Sequence, residues 1–311
     1  MATYCVDKIG WSHPLRTGYK HAVKGDYEDA INSYEEALKE GENQVLIYNN
    51  LADAYVNLGE LDRALDYAQK AAKCAVDKVV PYVTLGEIRR AKGEHKNAVD
   101  CIVKAQNLLE ESVPELKDVI SDSIEEVIKR LPARIKSDIA SKDWIRIIHL
   151  VKSLKSNYEM ERNYVRKGVS WEFLLDIRRK SLSSIGQKYL WSKEKLGIKG
   201  SDTVAIANTY GAMCAIIGSP QVKVGQRSET SSSIQIPLCW RYSVIKSMEL
   251  DEDPGWVKCS RMCAECINAI AKAINPAADF EFSSTFPDGD KRCEGMFSIN
   301  TPACAQAGCK R

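Results

Sequence analysis

The sequence predicts a two-part fold, in which an all-α solenoid of repeats is followed by an α+β domain with an antiparallel sheet. Two observations support this: a period of 34 residues in the N-terminal third, and a change beyond Gly200 from helical spacing to short alternating segments. The length of 311 residues fits two domains of roughly 100–200 residues each. We divide the chain into repeats at 1–112, a helical cap and linker at 113–164, and a cysteine-rich domain at 165–311.

Three segments, 11–44, 45–78 and 79–112, align with one another without gaps. They share a small residue at the eighth position, a glycine at the fifteenth, and alanines at the twentieth and twenty-seventh. Small residues allow two antiparallel helices to approach closely, and the glycine allows the turn between them. These positions are Gly18, Ala52 and Gly86; Gly25, Gly59 and Gly93; Ala30, Ala64 and Ala98; and Ala37, Ala71 and Ala105.

This pattern resembles the tetratricopeptide repeat, whose stacked helix pairs form a curved array with a groove for a peptide or a neighbouring domain. One version of that groove grips a C-terminal carboxylate, and of the positions it uses only Asn50 matches here. The sequence therefore disfavours a clamp for chaperone tails. Tyr19, Asn49 and Asp53, which we expect to be exposed, join Asn50 as candidates to bind a protein or peptide. The alternative is that the array packs only against its own C-terminal domain.

Helical spacing of apolar residues continues after the repeats. One set from Val119 to Ile128 predicts a helix that ends before Pro132, and a second set extends from Ile145 to Leu154. Because a terminal repeat must cover its apolar flank, we expect these helices to cap the array.

The C-terminal domain alternates between helical and extended patterns. We predict helices at 203–217 and 256–274, and strands around 222–224, 234–238, 280–282 and 296–299. Two antiparallel hairpins with helices on one face form an α+β domain, and the pattern leaves the strand order open.

Composition limits the cellular context and the partners. The chain has 11 cysteines, an odd number, and its first residues do not form an export signal, which predicts thiols in the cytoplasm. A net charge of +2 gives no electrostatic case for nucleic acid or an anionic membrane. No apolar run approaches the roughly 20 residues that cross a bilayer. All four histidines precede residue 150, so the C-terminal domain must work without imidazole.

Short motifs follow one another in the C-terminal domain in a characteristic order. They are a helix at 171–196, a helix with Gly211, a strand ending at Cys239-Trp240, a helix with Cys263, then Asn275-Pro276 and Gly289-Asp290-Lys291-Arg292-Cys293. This order resembles the L-2-amino-thiazoline-4-carboxylic acid hydrolase family over about 165–300. The chain departs from it at Trp240, where the family has proline, and by its additional Cys259 and Cys266. The four-vinyl-reductase domain, a small ligand-binding module, ends in a similar hairpin.

The resemblance implies hydrolysis of a small sulfur- or nitrogen-containing substrate by opening of a cyclic amidine ring. With no histidine nearby, Cys239 and Cys293 are the candidate nucleophiles, and Asp290 is the candidate acid or base. The alternative for Asp288 and Asp290 is that they only form the hairpin turn. The candidate substrate-binding residues, chosen for their positions in the sequence, are Arg227, Arg241 and Tyr242.

Cys259, Cys263 and Cys266 have the spacing of the cluster motif in radical S-adenosylmethionine enzymes, but too few residues follow them for that barrel. On a helix they continue into two isoleucines, which predicts a buried apolar face. The other interpretation joins these thiolates to a strand cysteine in a zinc or iron–sulfur site.

The sequence therefore supports two hypotheses about the function of the whole chain. The first is a hydrolase-like enzyme whose repeats recruit a partner protein. The second is a non-catalytic sensor or adaptor, in which the C-terminal domain binds a small ligand or a metal and the repeats bind the partner.

Overall fold

A computed structural model describes most of both predicted parts. The described residues are 11–41, 43–112, 142–177, 190, 193–216, 222–228, 230–253, 255–256 and 259–299. The chain divides into two compact units, Met1–Lys155 and Ser156–Arg311. The helix predicted at 119–128 lies outside the described residues, as does most of the second half of the one predicted at 171–196.

The first unit contains the three predicted helix pairs. They are α1 (His13–Lys24) with α2 (Tyr27–Lys39), α3 (Gln44–Asn57) with α4 (Leu61–Cys74), and α5 (Val79–Ala91) with α6 (His95–Ser112). The side chains of Ser12 and Asn43 cap α1 and α3, each accepting a backbone N–H at 3.3 Å. The glycines at position fifteen have left-handed backbones, with φ of 90° at Gly25 and 80° at Gly59 and Gly93, which confirms the predicted turns.

Small residues bring the two helices of a pair together, as the repeat pattern predicts. A Cβ on Gly18 would lie 2.7 Å from the ring of Tyr34, and one on Gly86 would lie 2.9 Å from Ile102 Cδ1. The alanines at position twenty are fully buried. Substituting either glycine would therefore force the helix pair apart.

The second predicted apolar set of the cap lies in one long helix, α7 (Lys142–Arg166). Ile145, Ile148 and Val151 are buried on it, and Lys152 pairs with Glu110 of α6 at 2.7 Å. The boundary between the two units falls within this helix.

The second unit is an α+β domain, so the predicted fold class is confirmed. Its helices include α8 (Thr203–Ile216), α9 (Trp240–Ser247) and α10 (Cys259–Ile274), and its strands are β1 (Lys223–Ser228), β2 (Ser231–Ile236), β3 (Ala278–Ser284) and β4 (Cys293–Ile299). The described sheet has the order β1-β2-β4-β3, and all neighbours are antiparallel. Pairing of β2 with β4 joins the two hairpins and sets Ile236 opposite Cys293.

Two details of the second unit differ from the sequence prediction. Helix α9 was not predicted, and α10 begins at Cys259 rather than at Trp256. The first difference arises because α9 has only 8 residues, too few for a clear helical period. It ends at a turn in which Glu249 has a left-handed backbone, with φ of 54°.

The core of the second unit lies between the sheet and helices α8 and α10. Its buried members are Ile206, Ala207, Ile234, Ile236, Ile267, Ile270, Ala271, Ile274, Ala278, Phe280 and Phe297. Helix α10 thus has the buried apolar face that the isoleucine spacing predicts. Among the described residues, no helix is long and apolar enough to span a membrane.

Candidate functional site

The ninth position of each repeat carries a polar or aromatic residue on the first helix of its pair: Tyr19, Asp53 and Glu87. Helix α3 packs beside both α1 and α5, so these residues follow one another across one face of the array. Glu87 was not among the predicted residues, although the same 34-residue register that gives Asp53 also gives Glu87.

Most of the predicted partner-binding residues are less exposed than expected. Tyr19, Asn49 and Asn50 are only 7%, 4% and 8% exposed, and Asp53 is partly buried. The ring of Tyr19 packs edge-on against Trp11 at 6.0 Å, and the Asn49 amide donates to the Val45 carbonyl at 3.0 Å. The expectation that Tyr19 and Asn49 are exposed was wrong, because contacts within the repeats cover them.

The pKa of the Asp53 carboxyl on this face is strongly perturbed. Burial, and after it the charge of Glu87, raises the pKa of the Asp53 carboxyl from 3.8 to about 7. The pKa of Tyr34 is also raised, first by its burial and then by Asp53 and Tyr19, which places its phenol beside them. A carboxyl group with this pKa carries a charge that its surroundings stabilise poorly.

Two amide atoms near Asp53 lack hydrogen-bond partners. Within the described part of the chain, Asn49 Oδ1 and Asn50 Nδ2 are buried and unsatisfied. Asn49 precedes Asp53 by one helical turn and so lies on the same face of α3. Glu87 contacts Arg90 at 3.1 Å, whereas no described Lys or Arg forms a salt bridge with Asp53. This face therefore offers the partly exposed Asp53 carboxyl group to a ligand, whereas the covered Asn49 amide is not accessible.

In the second unit, the ends of β2, α9 and β4 bring cysteines from separate segments together. Cys239 directly precedes α9, and Cys293 begins β4. The backbone N–H of Phe286 donates to Cys293 Sγ at 3.4 Å. Cys263, Cys266 and Cys293 all pack against the apolar core, and Cys239 and Cys263 are electrostatic neighbours of Cys293.

Burial favours the protonated form of three thiols of the second unit, those of Cys214, Cys266 and Cys293. Burial raises the pKa of Cys293 to about 12, although the Phe286 N–H lowers it in part. The pKa of Cys214 is raised to about 12 and that of Cys266 is raised, in both cases mainly by burial. The described cysteines form no disulfide bonds. Since the thiolate is the nucleophilic form, the environment of Cys293 works against the catalytic role expected for it.

Arg241 lies among the same thiols. Its electrostatic neighbours are, in decreasing order, Tyr158, Cys263, Cys239 and Cys266, and together they hold its pKa well above the usual value. Of the three predicted substrate-binding residues, Arg241 is the one that reaches the cysteines.

The other two predicted substrate-binding residues lie differently. Tyr242 stacks on Phe286 at 5.2 Å, so it borders the loop that contacts Cys293. Arg227 is on β1, where it donates to Ser233 Oγ at 3.3 Å and faces Glu294 at 3.9 Å. None of these contacts of Arg227 involves a cysteine.

Asp290 and Asp288 organise the hairpin before β4. The Thr285 N–H donates to Asp290 Oδ2 at 2.8 Å, and the Thr285 hydroxyl donates to Asp288. Asp290 also interacts electrostatically with Cys293. Both aspartates therefore form the turn. Asp290 also lies near Cys293, a candidate nucleophile of the sequence prediction.

The three predicted metal ligands, Cys259, Cys263 and Cys266, all lie on α10. Among the residues it describes, no three His, Cys, Asp or Glu side chains are arranged to hold a metal ion. Cys263 and Cys266 pack against the core, as expected for a buried apolar face of α10. The side chain of Cys259, which begins α10, lies outside the described residues.

Comparisons with known proteins concern the repeats. The tetratricopeptide repeat profile matches residues 15–76. Tetratricopeptide repeat protein 12 of Mus musculus is 30% identical over 126 residues, which are 40% of this chain and 17% of that protein. Photosystem I assembly protein Ycf3 of Prochlorococcus marinus is 41% identical over 59 residues, 18% of this chain and 34% of that protein. The chain thus spans much less than two thirds of either relative.

Among solved structures, the chain is similar to the first TPR of Spaghetti (RPAP3) bound to the HSP90 peptide SRMEEVD. The match covers 41% of this chain and 91% of that chain at 20% identity, with a TM-score of 0.30. The period, the turn glycines and the matched profile agree, and the N-terminal part of this chain is accordingly built of tetratricopeptide repeats.

Proposed function

We propose that this protein is a non-catalytic adaptor whose repeats bind a cationic segment of a partner protein. The observation that carries the proposal is the Asp53 carboxyl, which lies next to Glu87 without a basic partner among the described residues. Tetratricopeptide repeats commonly serve protein–protein interaction, and the name of one relative designates an assembly protein. The odd count of 11 cysteines favours action in a reducing compartment such as the cytoplasm.

The chemistry of the face favours a lysine or arginine side chain. A cation beside Asp53 would neutralise a carboxylate that Glu87 repels, whereas Glu87 already pairs with Arg90 at 3.1 Å. An acidic peptide would instead add a third negative charge, which like-charge repulsion disfavours.

The test uses the full chain on an array of degenerate peptides that differ in one fixed central residue: lysine, arginine, alanine or glutamate. We expect retention by peptides with lysine or arginine. The double variant Asp53→Asn, Glu87→Gln should bind these roughly tenfold to hundredfold more weakly, because a hydrogen bond to a charged group contributes about 1.5–3 kcal/mol.

Asp66→Asn is the matched control. This residue lies on the second helix of the same repeat and pairs with Lys70 at 2.6 Å. Its replacement should leave peptide binding unchanged, because it is not on the first helices. Equal retention of all four peptide classes by the unmodified protein would reject the cationic partner, and would favour the interpretation that the array packs only against its own chain.

The second candidate is a hydrolase-like activity of the C-terminal unit on a small sulfur- or nitrogen-containing substrate. It is supported by the convergence of Cys239, Cys293 and Arg241, which come from separate segments of the chain. Cys239 is the nucleophile in this proposal, because it interacts electrostatically with Arg241, whereas burial raises the pKa of Cys293. In this proposal Arg241 and Tyr242 hold the substrate, and Asp290 mainly fixes the hairpin.

We therefore expect different results from two cysteine variants. With 2-amino-thiazoline-4-carboxylate as substrate, Cys239→Ser should abolish hydrolysis. Cys293→Ser should retain turnover within a few-fold but lower the melting temperature, since a buried hydroxyl group is costly. Substrate loss and melting temperature are measured on the same samples. No turnover by the unmodified protein would dismiss the hydrolase, and loss of turnover only in Cys293→Ser would reverse the assignment.

A further inference from the structure

The face formed by Tyr19, Asp53 and Glu87 begins where the chain enters the first repeat. Trp11, two residues before the start of α1, packs edge-on against the ring of Tyr19 at 6.0 Å. Trp11 is half-buried and packs against the core of the repeats, so the entering chain is held at this face. Residues 1–10, which lie outside the described part of the chain, therefore join the array at the first-repeat end of the face.

The Asp53 carboxyl lies within reach of these residues. Helix α3, which carries Asp53, packs beside α1. The phenol of Tyr34 interacts electrostatically with both Asp53 and Tyr19, which places these two side chains near each other. Packed helices are about 8–10 Å apart, and three extended residues span roughly 10 Å. A side chain three residues before Trp11 can therefore reach the Asp53 carboxyl.

The residue at that distance is a lysine. Lys8 stands three positions before Trp11, and the one other charged side chain of residues 1–10 is that of Asp7. Because adjacent side chains of an extended segment point to opposite sides, Lys8 can face α3 while Asp7 faces away from it. The segment thus offers a cation to Asp53, with which no described Lys or Arg forms a salt bridge.

The charges around Asp53 agree with a cation from this segment. Burial, and after it the Glu87 charge, raises the pKa of Asp53, whereas the positive charge at the amino terminus of the chain lowers it. Glu87 itself contacts Arg90 at 3.1 Å, so it already has a cation. A segment tethered beside its site is present there at an effective concentration of about a millimolar. Docking of the tethered segment is therefore favoured over capture of a free one.

We propose that residues 1–10 of this chain lie along the face, with the Lys8 ammonium beside Asp53, and that the cationic segment of a partner has to displace them. This inference rests on the cationic binding proposed for the repeats and deepens it, because the first ligand of the face is then a segment of the same chain. An arginine of the partner competes better than a lysine, since its guanidinium can bond both oxygens of the Asp53 carboxylate.

Carbodiimide cross-linking tests the contact without any partner, since it joins an amine to a carboxyl group that touches it. The full chain is treated at low micromolar concentration, digested and examined by mass spectrometry for a peptide that joins Lys8 to Asp53. Lys8→Gln should reduce the linkage of Asp53 to residues 1–10 by about tenfold, the effect of one hydrogen bond to a charged group, and Asp53→Asn should abolish it. Lys39→Gln is the matched control, because Lys39 is exposed at the end of α2, and it should leave the yield unchanged.

An equal mixture of unlabelled and heavy-isotope-labelled chains identifies the chain that supplies the segment. Cross-linked peptides of uniform label mean that the segment and Asp53 belong to one chain, as proposed. Peptides that combine the two labels would overturn the proposal, since the segment would then come from a second copy.

Peptide affinity is the second readout. Lys8→Gln should bind the lysine peptides about threefold to tenfold more tightly than the unmodified protein, because a docked segment lowers the fraction of chains whose face is open. Lys39→Gln should bind them as the unmodified protein does. Unchanged affinity in Lys8→Gln, together with no cross-link from Lys8 to Asp53, would overturn this inference, while retention of the lysine peptides would still support partner binding. A cross-link without retention of any peptide would instead reject the partner and support the docked segment.

Discussion

Replacing Gly295 with alanine is expected to destabilise the C-terminal unit by about 3 kcal/mol, near the upper end of overpacking costs. Gly295 is in β4, opposite Ile234 on β2 and Phe282 on β3. A Cβ at this position would lie 2.3 Å from the ring of Phe280 and 2.7 Å from the Glu281 carbonyl oxygen. Because the second contact is with backbone, turning a side chain cannot relieve it, and β3 must move away from β4.

The neighbouring residue supplies the control for this prediction. Met296 is in the same strand but is 45% exposed, so Met296→Ala should change stability by less than about 0.5 kcal/mol. Thermal unfolding combined with hydrogen exchange of the strand peptides measures the effect within the C-terminal unit. For a unit of this size we expect Gly295→Ala to lower its melting temperature by roughly 6–12 °C. A melting temperature within 1–2 °C of the unmodified protein, about the effect of 0.5 kcal/mol, would show that the strands do not approach so closely.

The repeats could be predicted from the sequence because their determinants are local and recur. A glycine with a left-handed backbone, such as Gly25, is needed at a fixed place in each pair, and a small residue such as Gly18 is needed where the helices touch. Each of these requirements places a particular residue type at a fixed position of the repeat. Because the pattern occurs three times, it is unlikely to arise by chance.

The candidate sites could be predicted only in part, because they depend on contacts between distant segments. Cys239 and Cys293 come together through the pairing of β2 with β4, which alternation of apolar residues does not specify. The sequence did not single out Trp171, because only the structure shows that its buried indole N–H has no acceptor among the described residues. The burial of Asn49 was missed for the same reason: a polar residue on a helix face looks exposed until a second helix covers that face.

The N-terminal unit is expected to lose stability as the pH rises from about 4 to about 7, because of Asp53. Its pKa is raised from 3.8 to about 7 in the folded state, so folding favours the protonated form. Well below pH 3.8 the carboxyl is protonated in both states, and this contribution to stability is fully present. As the pH rises through the folded pKa it is lost, by up to about 4 kcal/mol and by less to the extent that the side chain remains solvated.

Asp53→Asn should remove this dependence while keeping the shape of the side chain. The variant should be more stable than the unmodified protein at pH 8 by roughly 1–4 kcal/mol and little different at pH 4. Denaturant unfolding at several pH values, followed by hydrogen exchange in α3, measures the difference. Asp66→Asn, which removes an exposed carboxylate paired with Lys70, should leave the slope unchanged. If the stability of Asp53→Asn changed with pH in the same way as that of the unmodified protein, the titrating group would be another residue.

The same carboxyl connects stability to the proposed binding. A cationic segment beside Asp53 favours the ionised form, so binding near pH 7 must release a proton. Affinity should therefore rise between pH 6 and pH 8, and the heat of binding should depend on the ionisation enthalpy of the buffer. Asp53→Asn should lose both effects even if it retains weak binding through Glu87. Proton uptake on binding would have the opposite sign and would mean that the partner presents an acid to this face.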